Sequence, residues 1–330
     1  PVIWSVVIAV AVLMYVVMDG FDLGLGVLFP AAPEEADRDT MMASVAPVWD
    51  GNETWLVLGG GGLLAAFPVA YATILPALYL PVIVMLLALV FRGVAFEFRF
   101  KASPRNRWVW TLAFAAGSTL AAFAQGVVLG AFIQGFKVES ERFVGGPFDW
   151  ATPFAALTGL GLVAGYALLG AAWLILKTEG RLQDWAYAAA RPLVALVAAF
   201  LAAVSLWTPL LDPDIATRWF AWPNIALLAP VPLAAGLALL ALWRALERRQ
   251  ERRPFPLAIA IFLLSYLGLG ISLYPTIVPP SVTVWEAASA PASLGFMLVG
   301  VVILLPVILA YTAYTYWVFR GKVRPGAGYH

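Results

Sequence analysis

The sequence predicts an all-α integral membrane protein, a single polytopic domain over residues 1–330 with about nine transmembrane helices. Three observations predict it. Hydrophobic residues make up 62% of the 330 positions and charged ones only 12%, where a soluble domain carries roughly 25% charged residues. The mean hydropathy is +0.88. Apolar stretches of about 20 residues, the length that crosses a bilayer, recur along the chain. One soluble domain of this length has too little interior to hide so much apolar surface. The composition therefore excludes a soluble enzyme, a disordered chain and a nucleic-acid binder. The net charge of +1 carries little weight, because in a membrane the placement of charges matters more than their sum.

Nine stretches qualify as spans: Val2–Leu28, then 54–75, 78–96, 108–132, 154–176, 192–210, 225–243, 257–273 and 294–317. The first has no basic stretch ahead of it and runs into Asp19 and Asp22, so it reads as a retained helix. The second opens on an acidic turn and carries Gly59-Gly60-Gly61-Gly62. Only a few residues around Pro76 separate it from the third. Trp108 and Trp110 open the fourth, and Trp207, Trp243 and Trp317 mark the ends of the sixth, seventh and ninth. Such amphipathic rings favour the headgroup layer. The pairs Gly20/Gly24, Gly126/Gly130 and Gly161/Gly165 have the small-xxx-small spacing that lets helices approach closely. The longest loops, near 31–51, 136–153 and 275–293, are too short for a folded domain, and no internal repeat is visible.

The basic residues set the orientation. Arg38, Arg99, Lys101, Arg105, Arg107, Lys177, Arg181, Arg191, the five arginines of 244–253, Arg320, Lys322 and Arg324 fall on one side. They are 16 of the 20 Lys and Arg; Lys137, Arg142 and Arg218 fall on the other side and Arg92 lies within span three. The positive-inside rule then places the N-terminus outside and the C-terminus in the cytoplasm.

Ionisable residues inside a span are costly and often functional. Asp19 and Asp22 lie in Met18-Asp19-Gly20-Phe21-Asp22-Leu23-Gly24, where i,i+3 spacing puts both carboxylates on one helix face. They either share a proton within the membrane or sit solvated in the interface. Asp50 and Glu53 lie in Trp49-Asp50-Gly51-Asn52-Glu53-Thr54-Trp55. Asp50 takes the N-cap position of span two, with Glu53 three residues on in capping-box position. That is a complete structural account, and a carboxylate at a bilayer entrance also suits proton uptake. Arg92 and Glu97 each call for a partner on another helix or a snorkelling path to the interface. Glu286 reads as a solvated loop acid. The four glycines lack the Lys and Ser/Thr of a phosphate loop; they predict close contact with a neighbouring helix or ligand.

Two counts bear on cofactors. There is no cysteine, and the one histidine, His330, is the last residue. A haem, copper or zinc site within the membrane usually takes imidazole or thiolate ligands, so the body of this chain offers no such ligation and any such metal belongs on a partner.

The block Ser44-Val45-Ala46-Pro47-Val48-Trp49-Asp50-Gly51-Asn52-Glu53-Thr54-Trp55-Leu56, together with Met18 to Gly24, resembles subunit II of the cytochrome bd-type quinol oxidases, a group that includes the cyanide-insensitive oxidases. Phe91-Arg92-Gly93 to Arg99, Ser272-Leu273-Tyr274-Pro275, Trp285-Glu286-Ala287 and Tyr311-Thr312-Ala313-Tyr314 follow in the family's order. Thr54, where many members carry an aliphatic residue, and a short connection between spans six and seven depart from the pattern. The resemblance implies a nine-helix subunit of two four-helix bundles and one peripheral helix in the bacterial inner membrane. It implies a heterodimer with a haem-bearing subunit I, which holds two b haems and, in most members, haem d, and oxidises quinol. The complex would reduce O2 to water and contribute to proton-motive force. A small single-helix accessory subunit, and a structural quinone or lipid against the glycine-lined face of span two, are left open.

Quinol oxidised near the outer face releases protons outside, while oxygen reduction consumes protons from inside. A buried route must join the cytoplasm to the oxygen site. The resemblance assigns the aspartate of the Trp-Asp-Gly-Asn motif, here Asp50, to such a route, with Trp55 and Glu53 in the same block and Asp19 and Asp22 as further candidates. Two competing readings remain: a proton-coupled secondary transporter, which membrane carboxylates and glycine-broken helices also suit, and a scaffold that touches no proton.

Overall fold

The computed structural model describes residues 1–323; Arg324 of the basic tail and His330 lie outside the described residues. In chain order come α1 (Val2–Leu28), α2 (Glu35–Val45), α3 (Trp49–Ala66), α4 (Pro68–Lys101) and α5 (Arg107–Gln134). An outer hairpin of β1 (Val138–Glu139) and β2 (Arg142–Phe143) precedes α6 (Pro153–Lys177) and α7 (Gly180–Leu211). Then follow α8 (Pro213–Phe220), α9 (Asn224–Leu228), α10 (Pro230–Glu247) and α11 (Pro254–Leu273). A second hairpin, β3 (Thr276–Val278) with β4 (Val282–Thr283), leads to α12 (Pro291–Val318).

Among the described residues, eight helices are long and apolar enough to cross a membrane: α1, α4, α5, α6, α7, α9 continued by α10, α11 and α12. The ninth crossing is α3. Its 18 residues rise about 27 Å, and it lies antiparallel to α1 along that whole length. Asn52 bonds Asp22 at one end, and Ala66 shares a hydrophobic cluster with Trp4 at the other. The acidic first turn and the four glycines lower its hydropathy without shortening its reach.

The boundary between spans two and three differs from the expectation. The chain turns at Phe67, not near Pro76: α3 ends at Ala66 and α4 begins on Pro68. Proline suits the first turn of a helix, where its missing N–H would be unpaired anyway. Pro76 and Pro81 instead lie inside the 34-residue α4, which neighbouring helices sustain. The link between spans six and seven is also helical, built from α8.

Helices α1, α3, α4 and α5 form one four-helix bundle, and α6, α7, α10 and α11 form the second. The two meet where α6 packs on α1 and α5, and α12 stands at the periphery beside α3. Glycines set the contact between bundles. A Cβ at Gly24 would lie 1.8 Å from the Tyr166 carbonyl oxygen, and one at Gly126 would lie 2.5 Å from that of Thr158. The glycine run of α3 is divided. Gly59 and Gly62 pack on Val12 and Ile8 of α1, while Gly60 and Gly61 face open space.

Outside the membrane, α2 is stapled by ions. Arg99, fully buried, donates to Asp39 at 2.6 Å, pairs with Glu35, and bonds Thr111 of α5 at 3.1 Å. Arg181 of α7 pairs with Glu34 and with Asp37 at 3.0 Å. Its hydrogen bond and charge hold the Glu34 carboxyl below the usual carboxylate range.

Candidate functional site

The apolar run of α1 is interrupted by Asp19 and Asp22, which i,i+3 spacing places together. Both are buried, at 0% and 1% exposure, so the interfacial alternative does not hold. Facing them, α4 supplies Arg92, itself 1% exposed. Its Nη2 lies 2.6 Å from Asp19 Oδ1 and 3.8 Å from Asp22 Oδ2. Its Nη1 lies 3.0 Å from Glu53 Oε2 on α3. The Trp49 ring lies 5.5 Å from the guanidinium carbon. Arg92 thus finds its partners on other helices rather than by snorkelling.

Neutral groups extend this cluster in two directions. Asn52 donates from Nδ2 to Asp22 Oδ2 at 2.7 Å and to the Met18 carbonyl at 3.2 Å. Its Oδ1 accepts from the Tyr316 hydroxyl of α12 at 2.8 Å. One turn before Asp19, the Tyr15 hydroxyl accepts from Gln125 Nε2 at 2.6 Å, and Gln125 Oε1 accepts from Tyr166 at 2.8 Å. Asp19 Oδ2, Asp22 Oδ1 and Arg92 Nε are buried without a hydrogen-bond partner. Three carboxylates therefore surround one guanidinium, the only full positive charge they meet.

The sequence-predicted residues separate. Asp19, Asp22 and Glu53 come together around Arg92. Trp55 is buried among Ala11, Tyr15 and Met18, as packing. Asp50 stands in the first turn of α3, exposed, with no hydrogen bond or ion pair among the described residues. The capping reading is corrected: the N-cap of α3 is Val48, without a side-chain cap. The turn before α3 is already closed by Val48 N to the Val45 carbonyl at 2.9 Å, so the helix starts two residues early. The Glu53 carboxylate turns to buried Arg92, where a charged hydrogen bond is stronger than a cap to a backbone N–H. Sequence alone does not point to Asn52, Gln125, Tyr15, Tyr166 or Tyr316; its nearest signal was one arginine toward the end of span three. Glu286 is exposed as expected, and its Oε2 accepts from Thr283 N at 2.8 Å, which holds its carboxyl below the usual range.

The donor set does not fit an imidazole-ligated haem within the described residues. They contain no histidine or cysteine, and no group of three or more such or acidic side chains could hold a metal ion.

Comparison with known proteins agrees with this architecture. The chain is 30% identical over 359 residues to cytochrome bd-I ubiquinol oxidase subunit 2 of Escherichia coli K12, covering 97% of this chain and 94% of that protein. It is 29% identical over 334 residues to cytochrome bd ubiquinol oxidase subunit 2 of Bacillus subtilis 168, covering 97% and 96%. Its fold matches a chain of the bd oxidase from Geobacillus thermodenitrificans with a TM-score of 0.75 at 18% identity, over 96% and 98% of the two chains. The family model for cytochrome bd terminal oxidase subunit II matches residues 1–319. By that match over nearly its whole length, the chain belongs to the cytochrome bd terminal oxidase subunit II family.

Proposed function

We propose that this subunit II pairs with a haem-bearing subunit I holding b haems and haem d. In this reading the complex takes electrons from quinol and reduces O2 to water, and this chain delivers cytoplasmic protons toward the oxygen site. Haem chemistry belongs to the partner. The observation that carries the proton role is the buried cluster of three carboxylates around Arg92, continued by Glu53 and Asp50 to the open face of α3. A balanced ion pair has no place for an extra proton. Here Asp22 keeps one buried oxygen without a hydrogen bond, and the second oxygen of Asp19 has only the neutral Tyr15 hydroxyl for company, so a proton can be held while Arg92 stays paired.

The open face of α3 supports the position of subunit I. Asp50, Gly51, Thr54, Gly60 and Gly61 are exposed there, and a Cβ at any of the three glycines would touch nothing within 4 Å. Polar and side-chain-free surface suits a neighbouring helix better than lipid tails. A proton leaving Glu53 by way of Asp50 would thus emerge at the partner. The basic asymmetry supports an N-terminus outside and a C-terminus in the cytoplasm.

The assignment is tested by purifying the chain under mild conditions. Co-purified haem absorbance with quinol-dependent oxygen uptake is expected. A colourless chain that moves a solute across vesicles would make it a transporter instead.

A further inference from the structure

A second polar feature lies apart from the acidic cluster. At the end of the molecule that carries most of the Lys and Arg, four helix ends enclose a cavity of about 190 Å³. Ser44 comes from α2, Trp173 and Lys177 from α6, Phe255 from α11, and Tyr316 and Arg320 from the end of α12 and just beyond it. The walls are aromatic: the Trp173 ring centre lies 5.2 Å from that of Phe255 and 6.4 Å from that of Tyr316. The Tyr316 hydroxyl is already spent on Asn52.

The charges in this cavity are all of one sign. Lys177 is only 4% exposed and lies 5.1 Å over the Trp173 ring. Its ammonium donates to the Phe319 carbonyl and, at 2.8 Å, to that of Gly321. An ammonium has three N–H groups, so one is left. Arg320 uses one Nη1 bond, to the Trp317 carbonyl at 2.6 Å, and has further donors in its fork. No acidic side chain lines the cavity. A buried cation is paired or costly, and main-chain carbonyls carry no full charge.

We propose that this cavity holds the phosphate headgroup and first acyl carbons of an anionic phospholipid from the cytoplasmic leaflet. The two cations match the phosphate, and the aromatic walls match the alkyl carbons. A neutral quinone ring would leave both cations without a counter-charge, and a free phosphate would leave the aromatic walls uncovered. The cytoplasmic leaflet is the one rich in anionic lipid, and basic pockets between helices on that side bind such headgroups. The lipid would also join α12, whose main helical neighbour in the chain is α3, to the end of α6. The inference rests on the cavity alone and is independent of the proton route.

The test places the intact oxidase complex in nanodiscs of phosphatidylcholine doped with phosphatidylglycerol, then counts retained lipid by native mass spectrometry after gentle extraction. The wild type is expected to keep one phosphatidylglycerol that Arg320→Gln loses about fivefold more readily, with a further drop of about fivefold in Lys177→Gln/Arg320→Gln, following the usual contribution of each basic residue. Glutamine at 177 removes the charge and keeps two N–H donors on a side chain one bond shorter. Arg320→Gln alone, at an exposed side chain, carries the test if the double variant does not assemble. Equal retention in wild type and variant overturns the proposal. So does displacement of the lipid by millimolar inorganic phosphate, which would make the site one for a free anion, or a quinone recovered one-to-one from both proteins.

Discussion

Arg92 is the residue on which the buried site depends. It answers two carboxylates on α1 and one on α3, and it is the one basic residue inside the apolar stretches read from the sequence. Replacing it with Gln leaves Asp19 and Asp22 buried without a counter-charge, a loss of about 3–5 kcal/mol for a broken buried pair. Arg92→Gln is therefore expected to abolish assembly or lower the thermal midpoint sharply, measured as haem per chain and by thermal unfolding. Arg92→Lys should fall between, because one point charge cannot serve three acids as a planar fork does. Glu53→Gln should assemble normally, since an amide oxygen still accepts from Arg92, and should slow oxygen consumption by removing a titratable group. Asp19 and Asp22 were legible in the sequence because an acid inside an apolar run is an exception with few structural excuses. Asn52, Gln125 and the tyrosines were not. Neutral polar residues are common in helices, and the partners of these are 30 to 264 positions away.

The elements show which local rules prevailed. Helix α3 was legible as a span but not in its boundaries. Pro76 looked like a breaker, yet proline breaks a helix only where nothing sustains it, and the turn fell at Phe67, where Pro68 could open α4. The glycine spacing was read correctly where two helices touch. Gly24→Ala should drive a methyl into the Tyr166 carbonyl and lower the thermal midpoint of the complex, whereas Gly180→Ala is strained by its positive φ of 64° alone. Gly60→Ala should leave the fold of this chain intact and weaken only its hold on subunit I, read as haem retained on the chain after detergent challenge. Outside the membrane, the Arg181 hydrogen bond and charge hold Glu34 below its ordinary pKa. A carboxylate lowered in the folded state contributes above its unfolded pKa and ceases to as pH falls through the folded value. The Arg181–Glu34 tie to the start of α2 should thus persist through neutral and mildly acid pH and weaken only as pH falls below the ordinary carboxylate range. Hydrogen exchange of residues 35–45 against pH checks this, and loosening already at pH 6 would contradict it.

At the scale of the whole molecule, composition and the alternation of basic residues sufficed for an all-α polytopic membrane fold, because the bilayer leaves few other solutions for so apolar a chain. The division into two bundles came from family resemblance and not from periodicity, since helices apolar on every side give no direction to their packing. A reporter fused after Val323 should read cytoplasmic, and a tag in the 137–149 loop should be labelled in intact cells; labelling only after lysis would reverse the orientation. The central claim is that Asp50 and the cluster behind it carry protons to the partner. Among the described residues Asp50 caps no helix and makes no hydrogen bond or ion pair, so Asp50→Asn changes a titratable group and little else. The direct measurement takes haem content, quinol-driven haem reduction and single-turnover oxygen reaction on one preparation of that variant. The account predicts normal haem and normal haem reduction, with the proton-consuming oxygen steps slowed by about tenfold or more; normal haem with normal turnover would contradict it.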